Sequence, residues 1–251
     1  MYNKNTKIVC TLGPSSDSVK EITNLINAGM NVARLNFSHG TYEHHAKLIK
    51  NIHKAEKITG QRIGILQDLQ GPKIRIGEMP KEGIELKNDK IVTFTITRTI
   101  GHIEKDGDVV IPINYKNIIK DVKKNDIILI DDGLIEVKIL KVGKAHLRCK
   151  VKNGGTVKKG NGINLPTASI SQKTITTKDK KDLEFGLNNN VDFVALSFVK
   201  SEKDLHELRK MINHHKKDTA IIAKIERLSA IDNIDEIAAV CDGLMEIGRA
   251  S

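Results

Sequence analysis

RIGILQDLQGPKIR, residues 62–75, is where the chain changes texture. Up to Leu69 it reads as a short apolar strand of the kind a parallel sheet buries on both faces. Gly71-Pro72 is a turn signal. Beyond it the helical stripes vanish, and residues 72–166 are rich in Val, Ile and Thr with period-two runs such as KIVTFTITR (90–98). ILIDDGLIEVKI (128–139) reads there as a hairpin turning at Asp132-Gly133. This stretch is expected to be a small all-β domain.

On either side of it strands alternate with helices. KIVCTLG (7–13) and NVARLNF (31–37) read as strands. Between them Ser18 and Glu21 form a candidate capping box before Ile22, Leu25 and Ile26, with Gly29 as the stop. Leu48, Ile49, Ile52 and Ala55 mark a second helix that ends before Gly60. After residue 166 come VDFVALSFV (191–199), a helix opened by Ser201 and Asp204, then AIIAKIERL (220–228), a helix carrying Ile231, Ile234 and Ile237, and CDGLMEIG (241–248). Six such strands predict an α/β fold with a parallel sheet and helices outside. Two architectures accommodate the pattern: a (β/α)8 TIM-type barrel two strands short, or a doubly wound sheet. The expected divisions are 1–71, the inserted domain 72–166, and 167–251.

Composition narrows the function classes. With 39% apolar residues the 251-residue chain can bury a sizeable core. It holds no apolar run long enough for a membrane span. MYNKNTKIVC leads straight into a strand without a signal-peptide apolar region. Cys10, Cys149 and Cys241 are widely spaced and odd in number, which fits reduced thiols in a cytoplasm and no zinc site. The formal charge of +10 suits phosphorylated ligands or nucleic acid, but aromatics are 3% and Trp is absent, which argues against a base-stacking platform.

Polar residues then fall where an apolar strand should have none. Arg34, Asn36 and Ser38 alternate at the end of one strand, and Asp68 and Gln70 at the end of the next. Lys224 and Glu226 alternate at the end of AIIAKIE and so share a face, roughly 6.7 Å apart along the strand axis. A lone pair of this kind is most simply a salt bridge. Three strand ends of one sheet carrying such groups point to a site at the C-terminal rim, where barrel enzymes place theirs. Cations with carboxylates suit a phosphorylated anion together with a divalent cation.

KIVCTLGPSS, MNVARLNFSHG, DLQGPKIR, GINLP, VALSFV and AKIE occur in an order and spacing that resembles the N-terminal half of pyruvate kinases, over residues 6–245. The resemblance implies a TIM barrel with an inserted β-barrel domain after the third strand, and transfer of the phosphoryl group of phosphoenolpyruvate to ADP, giving pyruvate and ATP. Matched motif by motif, Arg34 would contact the transferring phosphate. Lys224 would lie near the phosphoryl and enolate oxygens, and Glu226 would bind Mg²⁺ (or Mn²⁺). Asn36, His39 and Arg75 would face the nucleotide. Asn36, Ser38, Asp68 and the Leu69 carbonyl match the family's K⁺ positions. Lys73, in the LQGPK pattern, would supply the charge in place of K⁺, so K⁺ is not expected to be required. No nucleic acid or membrane partner is expected, and the family's usual homotetramer is not carried over to a chain of this length.

The sequence departs from the family's pattern at two places. After DGLM (242–245) it reads EIGRAS, without the A-R-G-D whose Asp is the second Mg²⁺ ligand, and Glu246 comes too early to replace it. Asn161 stands where a lysine often precedes GINLP, with Lys158 and Lys159 upstream. These departures lead to the expectation of a truncated, weakly active or inactive form. The alternative is a non-catalytic chain that binds phosphate ligands or a partner.

Overall fold

A computed structural model describes residues 5–131, 133–168 and 170–248. The chain forms two compact units. One runs up to Pro72 and resumes at Thr174, and the other is Lys73–Lys173.

The first unit is a six-stranded parallel sheet: β1 (Ile8–Thr11), β2 (Met30–Asn36), β3 (Gly64–Asp68), β4 (Phe193–Leu196), β5 (Ala220–Lys224) and β6 (Gly243–Met245). The strands lie side by side in chain order. A doubly wound sheet reverses its order at a switch point, so the topology is that of a partial barrel. Helices α1 (Val19–Asn27), α2 (Tyr42–Thr59), α3 (Thr177–Asn188), α4 (Glu202–His214), α5 (Leu228–Asp232) and α6 (Ile234–Ala238) connect the strands.

Local chemistry sets the helix ends. Ser18 Oγ accepts from the Glu21 N–H, and Thr41 Oγ1 from that of His44. Gly60 closes α2 in the left-handed conformation at φ 67°. Ile22 and Ile26 of α1 and Leu48, Ile49, Ile52 and Ala55 of α2 are buried in one core with Ala33, Leu35, Ile65, Val194 and Ile221 of the sheet.

Two local readings change, and one helix had no reading at all. AIIAKIERL is strand only to Lys224, so Glu226 lies beyond β5 and strand alternation does not fix its direction. The helix through Ile231, Ile234 and Ile237 is two short helices. Asn233 separates them, its Nδ2 donating to the carbonyls of Ser229 and Lys200, and Ile231 is exposed while Ile237 is buried. Finally, α3 carries no obvious apolar stripe in TKDKKDLEFGLN, because two of its inward residues are Asp179 and Asp182. Thr176 and Asp179 cap it reciprocally: Asp179 Oδ2 accepts from the Thr176 N–H at 2.8 Å, and Thr176 Oγ1 from that of Asp179 at 3.1 Å.

The second unit has an eight-stranded sheet, ordered Ile74–Arg75, Gly162–Asn164, Ile127–Ile130, Ile135–Val142, His146–Asn153, Ile91–Thr95, Val109–Pro112 and His102–Ile103. Every pairing is antiparallel except Ile91–Thr95 with Val109–Pro112. Ile84–Leu86 pairs separately with Gly155–Val157, and Ile118–Asp121 is a single helical turn. Ile127–Ile130 and Ile135–Val142 form the expected hairpin, although Asp132 of its turn lies outside the described residues. Ile135–Val142 alternates buried and half-buried over six residues, as a strand with one face on a core should. Phe94, Val137, Leu147 and Cys149 fill that core. Burial pushes the Cys149 thiol up to about 12.

Candidate active site at the strand ends

The C-terminal ends of β2, β3 and β5 bring Arg34, Asp68 and Lys224 together. Residues 197 and 198, just past β4, complete the group. Asp68 is 1% exposed and lies between the two cations. Its Oδ2 accepts from Arg34 Nε at 2.8 Å and Nη2 at 2.5 Å, and its Oδ1 lies 3.3 Å from Lys224 Nζ. Arg34 Nη1 also donates to Thr11 Oγ1 at 2.7 Å. A buried carboxylate is retained only if paired and hydrogen-bonded, and here two strands supply the partners.

Lys224, 7% exposed, has three polar neighbours, one hydrogen-bonded and two ion-paired. These are Asp68, Ser197 Oγ at 2.9 Å and Glu226 Oε1 at 3.1 Å. Ser197 in turn donates to the Leu69 carbonyl at 2.7 Å. Glu226 Oε2 accepts the Phe198 N–H at 2.9 Å, and its side chain is 27% exposed. The Lys224–Glu226 contact is therefore a salt bridge, but one joined to a buried network rather than isolated at a strand end.

The turn after β2 is fixed from behind. Asn36 Oδ1 accepts from the Ser38 N–H, and the Asn36 carbonyl from that of His39. Lys178 Nζ donates to the Phe37 carbonyl at 2.8 Å and pairs with buried Asp182. His45 is 4% exposed and stacks on Phe37, with ring centroids 4.0 Å apart. Its Nε2 lies 3.0 Å from the His39 carbonyl, so the tautomer that makes this bond carries the proton on Nε2. The His39 ring itself is at the surface.

Arg75 and Lys73 belong to the second unit. With Asp131, Lys159, Gly160, Asn161 and Gly162 they line a cavity of about 370 Å³. Arg75 Nη1 donates to the Gly160 carbonyl, and Asn161 bonds Asp131 Oδ1 and the Lys158 N–H. Asn161 thus organises this loop and offers no cation.

The donor set for a divalent cation is small. Among the described residues no three His, Cys, Asp or Glu side chains are grouped to hold a metal ion. Glu246 is exposed, and Asp242 pairs with Arg209 and the Ile221 N–H. Glu226 alone fits, as one ligand of an ion such as Mg²⁺ that commonly takes one or two carboxylates and completes its shell with water and substrate oxygens.

A model of the pyruvate kinase barrel domain matches residues 3–250. The chain belongs to the pyruvate kinase family. It is 43% identical over 244 residues to pyruvate kinase of Staphylococcus aureus (strain MRSA252), and 43% identical over 245 residues to that of Bacillus licheniformis. Each alignment covers 96% of this chain and 41% of the relative, so the chain spans about two fifths of the length of these curated proteins. In this family setting the network gains two residues that sequence reasoning did not single out, Ser197 and Phe198. VALSFV read as part of a buried strand and as one of the family's motifs, but neither residue was given a role, and the local signal was a hydroxyl placed just after an apolar run.

Proposed function

We propose that this chain carries the phosphoenolpyruvate-handling part of a pyruvate kinase, which moves the phosphoryl group of phosphoenolpyruvate to ADP to give pyruvate and ATP. The observation that carries the reading is the Arg34–Asp68–Lys224–Glu226 network at the strand ends. Phosphoryl transfer asks mainly for positioning and charge neutralisation. Arg34 has five N–H donors and spends three of them on Asp68 and Thr11. One N–H on each terminal nitrogen is left to grip the transferring phosphate. Lys224 is held upright by Asp68 and Ser197. The side of its ammonium that faces the more exposed Glu226 is the one available to the enolate oxygen as it forms.

Mg²⁺ or Mn²⁺ held by Glu226 would add charge neutralisation at the substrate's carboxylate and phosphoryl oxygens. Arg75, His39 and Asn36 are proposed for the nucleotide, and Asn161 weakens that contact. K⁺ is proposed to be dispensable, with Lys73 supplying the charge. The cations already paired with the Asp68 carboxylate, and the Ser38 N–H already on Asn36 Oδ1, support this. With one carboxylate for the cation, the chain alone is proposed to turn over weakly or not at all. Among the described residues no helix is long and apolar enough to cross a membrane, and the reading places the chain in the cytoplasm.

Pyruvate production would be measured with Mg²⁺ on the chain and on a chimera joined to the remaining sequence of the Bacillus licheniformis relative. An active chimera should lose about 10²–10³-fold in turnover on Lys224→Met, the usual cost of removing one preorganised oxyanion stabiliser. Unchanged turnover in that variant would overturn the assignment. Phosphoenolpyruvate binding without turnover in either form would favour the non-catalytic alternative.

A further inference from the structure

Phe198 has a backbone conformation that a bulky residue rarely takes. Its φ is 58°, in the left-handed region where an aromatic side chain is an outlier. The other non-glycine residues described with positive φ are Asp89, Asn125, Asp131, Asn190 and Lys216, mostly the Asp and Asn types that tolerate it. Such strain persists only where the surroundings over-determine it.

The surroundings here do. The Arg227 guanidinium lies over the Phe198 ring, 5.1 Å from its centroid. Gly71 also adjoins the ring: an added Cβ there would stand 2.9 Å from Phe198 Cδ2 and 3.1 Å from Ser197 Cβ. Gly71 is itself left-handed, at φ 68°, and its N–H donates to buried Asp179 Oδ1 at 3.0 Å. Asp179 is locked by its capping bonds to Thr176. The strained turn does one visible thing: it aims the Phe198 N–H at Glu226 Oε2. Ser197, one residue earlier, takes Lys224 Nζ. Adjacent residues thus hold the two members of the Lys224–Glu226 pair.

We propose that Phe198 is a positioning residue for Glu226. Its clamped, left-handed backbone pins Oε2, so that Oε1 stays turned toward Lys224 and toward a divalent cation. The inference rests on the reading of Glu226 as the cation's ligand and deepens it, by naming what presets that carboxylate. Groups that orient a metal ligand from behind typically contribute about 10–100-fold in metal affinity.

The test is a Mn²⁺ titration of the 251-residue chain, reading free Mn²⁺ by electron paramagnetic resonance, with ¹H–¹⁵N spectra following the Phe198 amide. Glu226→Ala should abolish the Mn²⁺ site and shift the Phe198 amide proton upfield. Phe198→Ala should weaken Mn²⁺ binding about 10-fold or more. Phe198→Tyr keeps the ring in its clamp and should stay within about threefold of the unsubstituted chain, a rescue that general loss of packing would not give. If Phe198→Ala does not fold, Gly71→Ala, whose added Cβ would meet Phe198 Cδ2 at 2.9 Å, should give the same loss. Mn²⁺ binding that is absent, or indifferent to Glu226→Ala, overturns the cation reading and this inference with it. Binding lost in Glu226→Ala but unchanged in Phe198→Ala or Gly71→Ala overturns the positioning role alone, as does a Phe198→Tyr variant as weak as Phe198→Ala.

Discussion

The two units of this chain bury different things. In the antiparallel unit the interior is almost wholly apolar, and of the buried polar side chains described only Thr95 and Asp126 fall there. The parallel unit buries Gln67, Asp68, Asp179, Asp182, Ser197 and Lys224, most of them at or just behind the strand ends. Strand direction accounts for part of the contrast. Antiparallel strands can leave one face to water, so polar residues go outward, as along Ile135–Val142. Parallel strands are covered on both faces, and β3 is buried from Ile65 to Asp68. A charge at such a strand end is kept only if neighbouring strands pair it. The parallel unit therefore spends stability on groups that chemistry needs, and the antiparallel unit does not.

Removing the carboxylate that holds the network strains this contrast hardest. Asp68→Ala leaves Arg34 and Lys224 as neighbouring cations without their shared partner, and should cost about 3–5 kcal/mol. Hydrogen exchange should show the loss in the parallel unit, with residues 73–173 unaffected. Loss of protection in both units together would mean that their cores are not separate. The complementary change is Leu147→Ala in the antiparallel core, where Leu147 is fully buried. A cost of about 2–4 kcal/mol, mostly transfer and cavity terms, is expected, and urea unfolding should register it in residues 73–173 alone.

The smallest effect concerns pH. Burial lowers the His45 pKa below its ordinary 6.5, against the opposing pull of its bond to the His39 carbonyl. Lys178, Asp182 and His44 also face it; Lys178 and His44 disfavour the proton and Asp182 favours it. The unfolded chain thus takes up a proton before the folded one does. His45 adds no penalty above about pH 6.5, and stability falls as pH drops below that value toward the folded pKa. Melting temperatures between pH 7.5 and 5.5 should decline, and more gently in His45→Gln, which keeps a donor for the His39 carbonyl but has no titrating ring. Equal slopes in both proteins would remove His45 from the account.

How much of this was legible in the sequence follows the same division. The four inner strands stood out because burial writes itself as apolar runs, and the two edge strands carry the same apolar pattern although β1 and β6 are largely exposed or half-buried. The polar groups at their ends stood out by contrast with those runs, and that drew attention to Arg34, Asp68, Lys224 and Glu226. Helix α3 did not stand out, because Asp179 and Asp182 face inward and disguise its stripe. Phe198 could not stand out, since its importance lies in a φ angle and no composition records one. The position of Glu226 was reached by an argument about strand alternation that β5 does not support, because the strand stops two residues short.

Cys149 turns the separateness of the two cores into a clock. Only a thiolate attacks an alkylating reagent, and this thiol sits at 0% exposure in the antiparallel core with its ionisation pushed to about 12. Labelling at Cys149 therefore has to wait for that core to open, and its rate counts openings. Cys10 and Cys241, half-buried in the parallel unit, need no such opening to react and serve as the fast reference. One chain, with no added label, carries both a timer for its antiparallel core and the reference against which to read it.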